Sequence, residues 1–132
     1  TKTDTGWSMI MDGHPYPASR PRVVHGKGAF YVGNYAKWYR DAKRRFPKFN
    51  TPINAPFFAD VVFKMIKAKT SKRQYPRGDI DNLLKGPFDV ISKSGFWGDD
   101  DQVIAVNARK EYVENADDAG VYIELVELTQ EE

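Results

Sequence analysis

The sequence Arg77-Gly78-Asp79-Ile80-Asp81-Asn82-Leu83-Leu84-Lys85, continued by Phe88-Asp89-Val90-Ile91 and then Gly95-Phe96-Trp97-Gly98-Asp99-Asp100-Asp101-Gln102-Val103, decides how the chain is read. Apolar residues recur at helical spacing after Asp81, which predicts a helix from about 81 to 92, ended by Gly95. Asp79 and Asp81 stand two apart. In extended backbone that spacing sends both side chains to one side, whereas in a helix it separates them by roughly 200°. The two carboxylates therefore converge only on the approach to the helix, where Gly78 and the following period put them. Asp99, Asp100 and Asp101 add carboxylates in the turn that enters the next strand. If the helix runs antiparallel to that strand, its start need not lie near this turn.

Working outward, Phe57 to Lys67 alternates as a long strand, with Phe57, Ala59, Val61, Phe63 and Met65 on one side and Asp60 and Lys64 on the other. A loop from Ala68 to Gly78 follows, and loops this long in a small domain usually carry function. Val103 to Tyr112 and Val121 to Leu128 read as closing strands, with Asn115 to Gly120 as the turn between them. Toward the N-terminus, Asn34 is the expected cap of a helix that runs to Phe46 and stops before Pro47. Its core face is Tyr35, Trp38, Tyr39, Ala42 and Phe46. Trp7 to Asp12 reads as a first strand closed by Gly13, and the three prolines between His14 and Arg22 exclude a helix there. Val23-Val24 and Ala29-Phe30-Tyr31 can pair as a hairpin across His25-Gly-Lys-Gly28. The expected fold is α+β: a single domain over residues 1–132, with a mixed β-sheet packed against two main helices.

The net charge of +2 conceals a division. Residues 1–77 hold 16 Lys or Arg against 4 Asp or Glu, and residues 78–132 hold 4 against 14. Such a chain can offer a basic surface to a polyanion while keeping a concentrated acidic site, or its halves can simply attract each other in the fold. Lys37, Arg40 and Arg44 share one helix face, with Lys43 and Arg45 nearby and Asp41 as counter-charge. Lys69, Lys72, Arg73 and Arg77 crowd the long loop. Both groups are candidate phosphate contacts, as against solvated surface charge. The absence of cysteine excludes disulfides, thiolate zinc sites and a Cys nucleophile, and agrees with a reducing cytoplasm. No apolar run approaches the roughly 20 residues of a membrane span, and no signal peptide is expected before Trp7.

Carboxylates gathered at one place repel by about 4 kcal/mol per pair at 4 Å in an effective dielectric near 20, so they stay ionised only beside a cation. Magnesium fits: it takes oxygen ligands, keeps several waters and bridges carboxylates to phosphates. Manganese is the expected substitute. Zinc would need His or Cys ligands, and His14 and His25, the two histidines, both lie near the N-terminus. They are expected as phosphate contacts or bystanders. A calcium loop does not fit, because Asp79-Ile-Asp81-Asn-Leu-Leu lacks the glycine at its sixth position and the glutamate at its twelfth. The competing reading is structural: Asp-x-Asp-Asn caps many helices, and an Asp-Asp-Asp run is often a solvated turn. Lys85, one turn after Asp81, can steady a phosphate or orient an attacking water. Gly86-Pro87 is expected to kink or restart the helix behind it. Phe96 and Trp97 are expected in the core.

These motifs, in this order, resemble the RusA family of Holliday junction resolvases, with weaker similarity over Ser19-Arg-Pro-Arg22 and the closing strands. The resemblance implies Asp79, Asp81 and Asp100 as metal-binding carboxylates, with Asp99 the alternative to Asp100. Lys85 falls at the family's catalytic lysine, Asn82 and Asp89 at supporting positions, and Arg20 and Arg22 join the DNA contacts. It further implies a homodimer that nicks four-way DNA junctions symmetrically with magnesium, without a small-molecule cofactor or membrane, in a bacterial cell hosting a phage or prophage. Two other classes stand beside it: a non-catalytic DNA-binding module with a solvated acidic half, and an interaction protein without DNA affinity.

Overall fold

Phe57, Ala59, Val61, Phe63 and Met65 are all buried, at 0 to 3% exposure, so the strand that carries them lies at the centre of the fold. The computed structural model describes residues 6–19, 22–24, 28–30 and 33–128, with the backbone alone for 22–24 and 28–30. Along the chain run β1 (Gly6–Asp12), β2 (Arg22–Val24), β3 (Gly28–Phe30), α1 (Gly33–Arg45), β4 (Phe57–Ile66), α2 (Ile80–Ser94), β5 (Val103–Val113) and β6 (Gly120–Glu127). A short 3₁₀ turn, Asp100–Gln102, leads into β5, and another, Ala116–Asp118, joins β5 to β6. The main sheet has the order β1-β6-β4-β5, and β2 pairs with β3 as a separate hairpin.

The expected α+β fold is what forms. The alternate residues of β4 join Met11, Val121, Ile123 and Leu125 of its neighbours in one core. Tyr35, Trp38 and Ala42 enter from α1, Phe46 from the residue just after it, and Leu83, Phe88, Val90 and Ile91 from α2. α1 begins at Gly33, one residue before the expected cap, so Asn34 lies inside the helix.

The turn read at 115–120 joins β5 to β6, but these two strands do not pair with each other. β6 runs antiparallel between β1 and β4, and β5 pairs parallel with the far side of β4. The physical reason is burial. β4 is apolar enough to need a neighbour on both sides, and a helix-bearing connection such as α2 is what parallel pairing requires. β4, α2 and β5 thus form a β-α-β unit. Where β5 begins, Phe57 pairs with Val103 but Phe58 with Ala105, so Ile104 is bulged out and 65% exposed.

α2 runs through Gly86-Pro87 as one helix of 15 residues, so the helix does not restart there. Pro87 cannot donate to the carbonyl one turn back. The glycine before it compensates through packing: a Cβ at Gly86 would stand 2.9 Å from Trp38 Cζ3 and 3.0 Å from Tyr35 Cε1. The missing side chain lets α1 press its aromatic residues against the helix at the point where a hydrogen bond is lost. Tyr39 adds a hydroxyl that donates to Asp89 Oδ2 across the same helix pair.

Candidate active site

The sequence Gly78-Asp79-Ile80-Asp81 forms the junction anticipated for it. Asp79 is the N-cap of α2, in extended backbone (φ −77°, ψ 136°), and Asp81 falls in the first helical turn. The cap reading of these acids fails in one respect: the Asp79 side chain makes no capping hydrogen bond. Both residues are exposed, and neither carboxylate makes an ion pair among the described residues. Lys85 is exposed one turn on, and its Nζ donates to Asn82 Oδ1 at 3.1 Å rather than to Asp81.

The second acidic group is built on an aromatic base. Phe96 and Trp97 are 1% exposed, in the core as expected, and their rings stand 5.6 and 5.5 Å from that of Phe57. Trp97 Nε1 donates to Ser92 Oγ at 2.7 Å, which ties the turn back to α2. Gln102, which the sequence reading did not single out, closes the turn. Its Oε1 accepts from the amides of Gly98 (2.8 Å) and Asp99 (3.2 Å), while its Nε2 donates to the carbonyls of Ile53 (2.8 Å) and Ala55 (2.9 Å). Asp99, Asp100 and Asp101 project from this frame into solvent, directly before the Ile104 bulge. Bulges often sit beside active sites, where they redirect the strand.

Asp100 is electrostatically the most stressed of these groups. Partial burial of its carboxyl raises its pKa above the ordinary carboxylate value, although the residue as a whole is exposed. A hydrogen bond with Asp99 and the charges of Asp99, Asp89 and Asp101 push the same way. Asp89, given a supporting part by sequence, is thus the α2 residue that faces the acidic turn. Asp79 and Asp81 are not among the charges acting on Asp100. Asp81 precedes Asp89 by eight residues, about 12 Å of helix axis at 1.5 Å per residue. Among the described residues, no three His, Asp or Glu side chains come close enough together to hold a metal ion. One chain therefore presents two acidic pairs, Asp79/Asp81 and Asp99/Asp100, at different levels of α2.

A carboxyl whose pKa is raised by folding binds its proton more tightly in the folded state. Stability therefore falls as pH rises through the raised value and returns as pH falls toward the ordinary carboxylate range. Asp100→Asn is expected to raise the melting temperature by about 1–3 °C at pH 7 in chelator, the scale of a surface charge change. The gap should close as the pH approaches 4. Thermal scans with equal or lower values for the variant at pH 7 would show that Asp100 is not under repulsion.

Arg77 brings the basic loop to within two residues of Asp79. Lys37, Arg40 and Arg44 are exposed on α1, and Arg44 meets Asp41 at 3.4 Å. Arg20 is outside the described residues, as is His25, and Arg22 is described by its backbone alone. Lys72, Arg73 and Arg77 line a recess of about 510 Å³ with His14, while Lys69 is exposed on the same loop. His14 also lines a recess of about 360 Å³ with Lys37, so the loop and the α1 face adjoin through it. Its Nδ1 accepts the Ile66 amide at 3.0 Å, and burial lowers its pKa.

Lys110, on β5, fixes the loop to the sheet. Its Nζ donates to the carbonyls of Pro76 and Gly78, each at 2.7 Å, immediately before Asp79. Nothing in the sequence marks this lysine, because its partners lie 34 and 32 residues away. Lys110→Met is expected to cost about 1–3 kcal/mol in a urea titration, the penalty of leaving polar partners unpaired. A loss under about 0.5 kcal/mol would mean that water replaces the ammonium without cost.

The family model described as endodeoxyribonuclease RusA matches residues 12–126. A crossover junction endodeoxyribonuclease RusA of Escherichia coli K12 is 34% identical over 91 residues, covering 68% of this chain and 72% of that protein. The proteins of the same name from Shigella sonnei and Enterobacteria phage 82 are 33% and 32% identical over the same shares.

Proposed function

The chain belongs to the RusA family of endodeoxyribonucleases, and on that premise we propose that it resolves four-way DNA junctions by paired, symmetric phosphodiester hydrolysis. The metal is magnesium, with manganese able to substitute. The observation that carries the proposal is the crowding at Asp100, where repulsion among oxygens is the condition that a hard cation relieves. The donor set fits such an ion: every candidate ligand is a carboxylate oxygen, and magnesium commonly takes one or two carboxylates together with waters and substrate phosphates. Asp99 or Asp100 holds it at the acidic turn, and Asp79 and Asp81 at the start of α2. When bound, the ion supplies a more acidic water and a counter-charge for the phosphodiester.

Because the two acidic pairs stand at different levels of one chain, a homodimer is part of the proposal. A two-fold arrangement sets the pairs of different subunits against each other, and two equivalent sites suit two strands of equal polarity. Lys85 steadies the phosphate beside Asp81. Lys37, Arg40 and Arg44 on α1, with Lys69, Lys72, Arg73 and Arg77 on the loop and Arg20 and Arg22 before β2, hold the DNA backbone. No helix among the described residues is long and apolar enough to cross a membrane. The proposed place of action is the cytoplasm of a bacterial host.

The test is a synthetic four-way junction beside a linear duplex of the same sequence. Paired nicks in the junction with magnesium, none in chelator and an intact duplex are expected. Binding without cleavage in either magnesium or manganese would overturn the nuclease reading in favour of a DNA-binding module.

A further inference from the structure

Tyr75 lies in the loop that leads to Asp79, between Arg73 and Pro76, both of which line the basic recess. It is 60% exposed. Single exposed aromatic rings are ordinary on protein surfaces and need no special account. This one differs in how firmly it is held. Its carbonyl accepts from Tyr112 Oη at 2.9 Å and from Arg73 Nε at 3.3 Å. Pro76 follows it and restricts its backbone to extended conformations. The Arg73 guanidinium stands 4.8 Å from the ring centroid and the Lys110 ammonium 5.6 Å. The ring is thus presented by a pinned backbone with two cations near it.

The recess beside it supplies what a phosphate needs. Lys72, Arg73 and Arg77 line it, Thr70 and Ser71 add hydroxyls, and no carboxylate among the described residues takes part. His14, whose Nδ1 is occupied by the Ile66 amide, keeps its proton on Nε2 and adds a neutral donor to the wall. A volume of about 510 Å³ falls within the range of small-molecule pockets. Continuous duplex cannot use the whole arrangement, because its bases are stacked on one another and offer no free face to a ring. A nucleotide without a partner has both a free face and an adjacent phosphate.

We propose that Tyr75 and this recess receive one unpaired nucleotide of branched DNA, the base stacked on the tyrosine ring and the phosphate held by Lys72, Arg73 and Arg77. The inference rests on the DNA-binding reading above and adds to it a site for a nucleotide out of the helix. Preference for branched over linear DNA then has a local source, since only a branch point or similar defect supplies such a nucleotide.

The experiment measures dissociation constants by fluorescence anisotropy in chelator, where no strand is cut. The probes are a duplex with a three-nucleotide bulge, a continuous duplex of equal length and a four-way junction. Tyr75→Ala is expected to weaken binding to the bulged probe by about 5- to 150-fold, the effect of losing one stacked base. Binding to the continuous duplex should stay within about twofold, and Tyr75→Phe, which keeps the ring, should behave as wild type on both. Equal weakening on both duplexes, no weakening on either, or a Phe variant as poor as Ala would overturn the inference. Junction cleavage by the wild type, assayed separately in magnesium, reports on the nuclease reading alone. Wild-type protein that binds none of the three probes would overturn both.

Discussion

Asp81→Asn is expected to reduce metal-dependent cleavage of a four-way junction by about 10²- to 10⁴-fold, corresponding to the several kcal/mol that a metal ligand contributes to a hydrolytic transition state. The same variant should bind the junction with unchanged or greater affinity, since one negative charge facing the DNA is removed. The fold should survive. Asp81 is exposed in the first turn of α2, and its carboxylate makes no ion pair among the described residues. The structural cost is limited to its interaction with the helix dipole, about 0.3–1 kcal/mol. Single-turnover cleavage and gel-shift titration of the same preparation separate the two effects. Full activity in this variant would remove Asp81 from the chemistry and with it the proposed site. Parallel measurements on Asp99→Asn and Asp100→Asn decide which member of the second pair is the ligand: the one with the larger loss.

The largest effect on stability is expected at Gly95. It closes α2 in the left-handed conformation (φ +88°), and its amide bonds to the Ser92 carbonyl at 3.2 Å. A Cβ there would lie 2.4 Å from the carbonyl oxygen of Phe49, which is backbone and cannot turn aside. The neighbouring loop segment is held by the Phe49 amide on the Ser94 carbonyl at 2.8 Å, so relieving the clash also breaks that contact. Gly95→Ala should therefore lose about 2–5 kcal/mol, a left-handed penalty of about 1–2 kcal/mol joined to an overpacking cost of about 1–3 kcal/mol. Gly33→Ala is the control. That glycine also has a positive φ (+82°), but nothing lies within 4 Å of its Cβ position, so the conformational penalty alone is expected. If the two variants unfold at the same denaturant concentration, the contact with Phe49 contributes nothing.

Much of this structure was legible because its signals are local. The alternation from Phe57 to Met65, the period of α1 and Gly95 as a helix stop each depend on residues within one element, and each forms as read. The order of the strands was not legible. Six residues separate β5 from β6, which suggests a hairpin, and only the demand of β4 for two neighbours places it between them. The continuation of α2 through Gly86-Pro87 was hidden for a related reason: the loss at Pro87 is local, whereas the compensation comes from Tyr35 and Trp38 some fifty residues away.

The acidic residues themselves could be named from the sequence, but their grouping could not. Their spacing along the chain fixes Asp79 with Asp81 and Asp99 with Asp100. It leaves open that Asp89, in mid-helix, is the α2 carboxylate that acts on Asp100. Lys110 and Gln102 carry no motif, because each works through backbone carbonyls of segments more than thirty residues away.

Gln102 bears on how the protein ages. Its primary amide spends two donors on Ile53 and Ala55 and its oxygen on Gly98 and Asp99. Spontaneous deamidation would keep the outline of the side chain and exchange the nitrogen for a second oxygen. An ionised carboxylate can still accept, but it would turn a negative charge toward two carbonyl oxygens and give the acidic turn a fourth anion. A single hydrolysed amide, adding less than one mass unit, would thus detach the turn from the segment at 53–55, so stored samples would lose the site before they lost the fold.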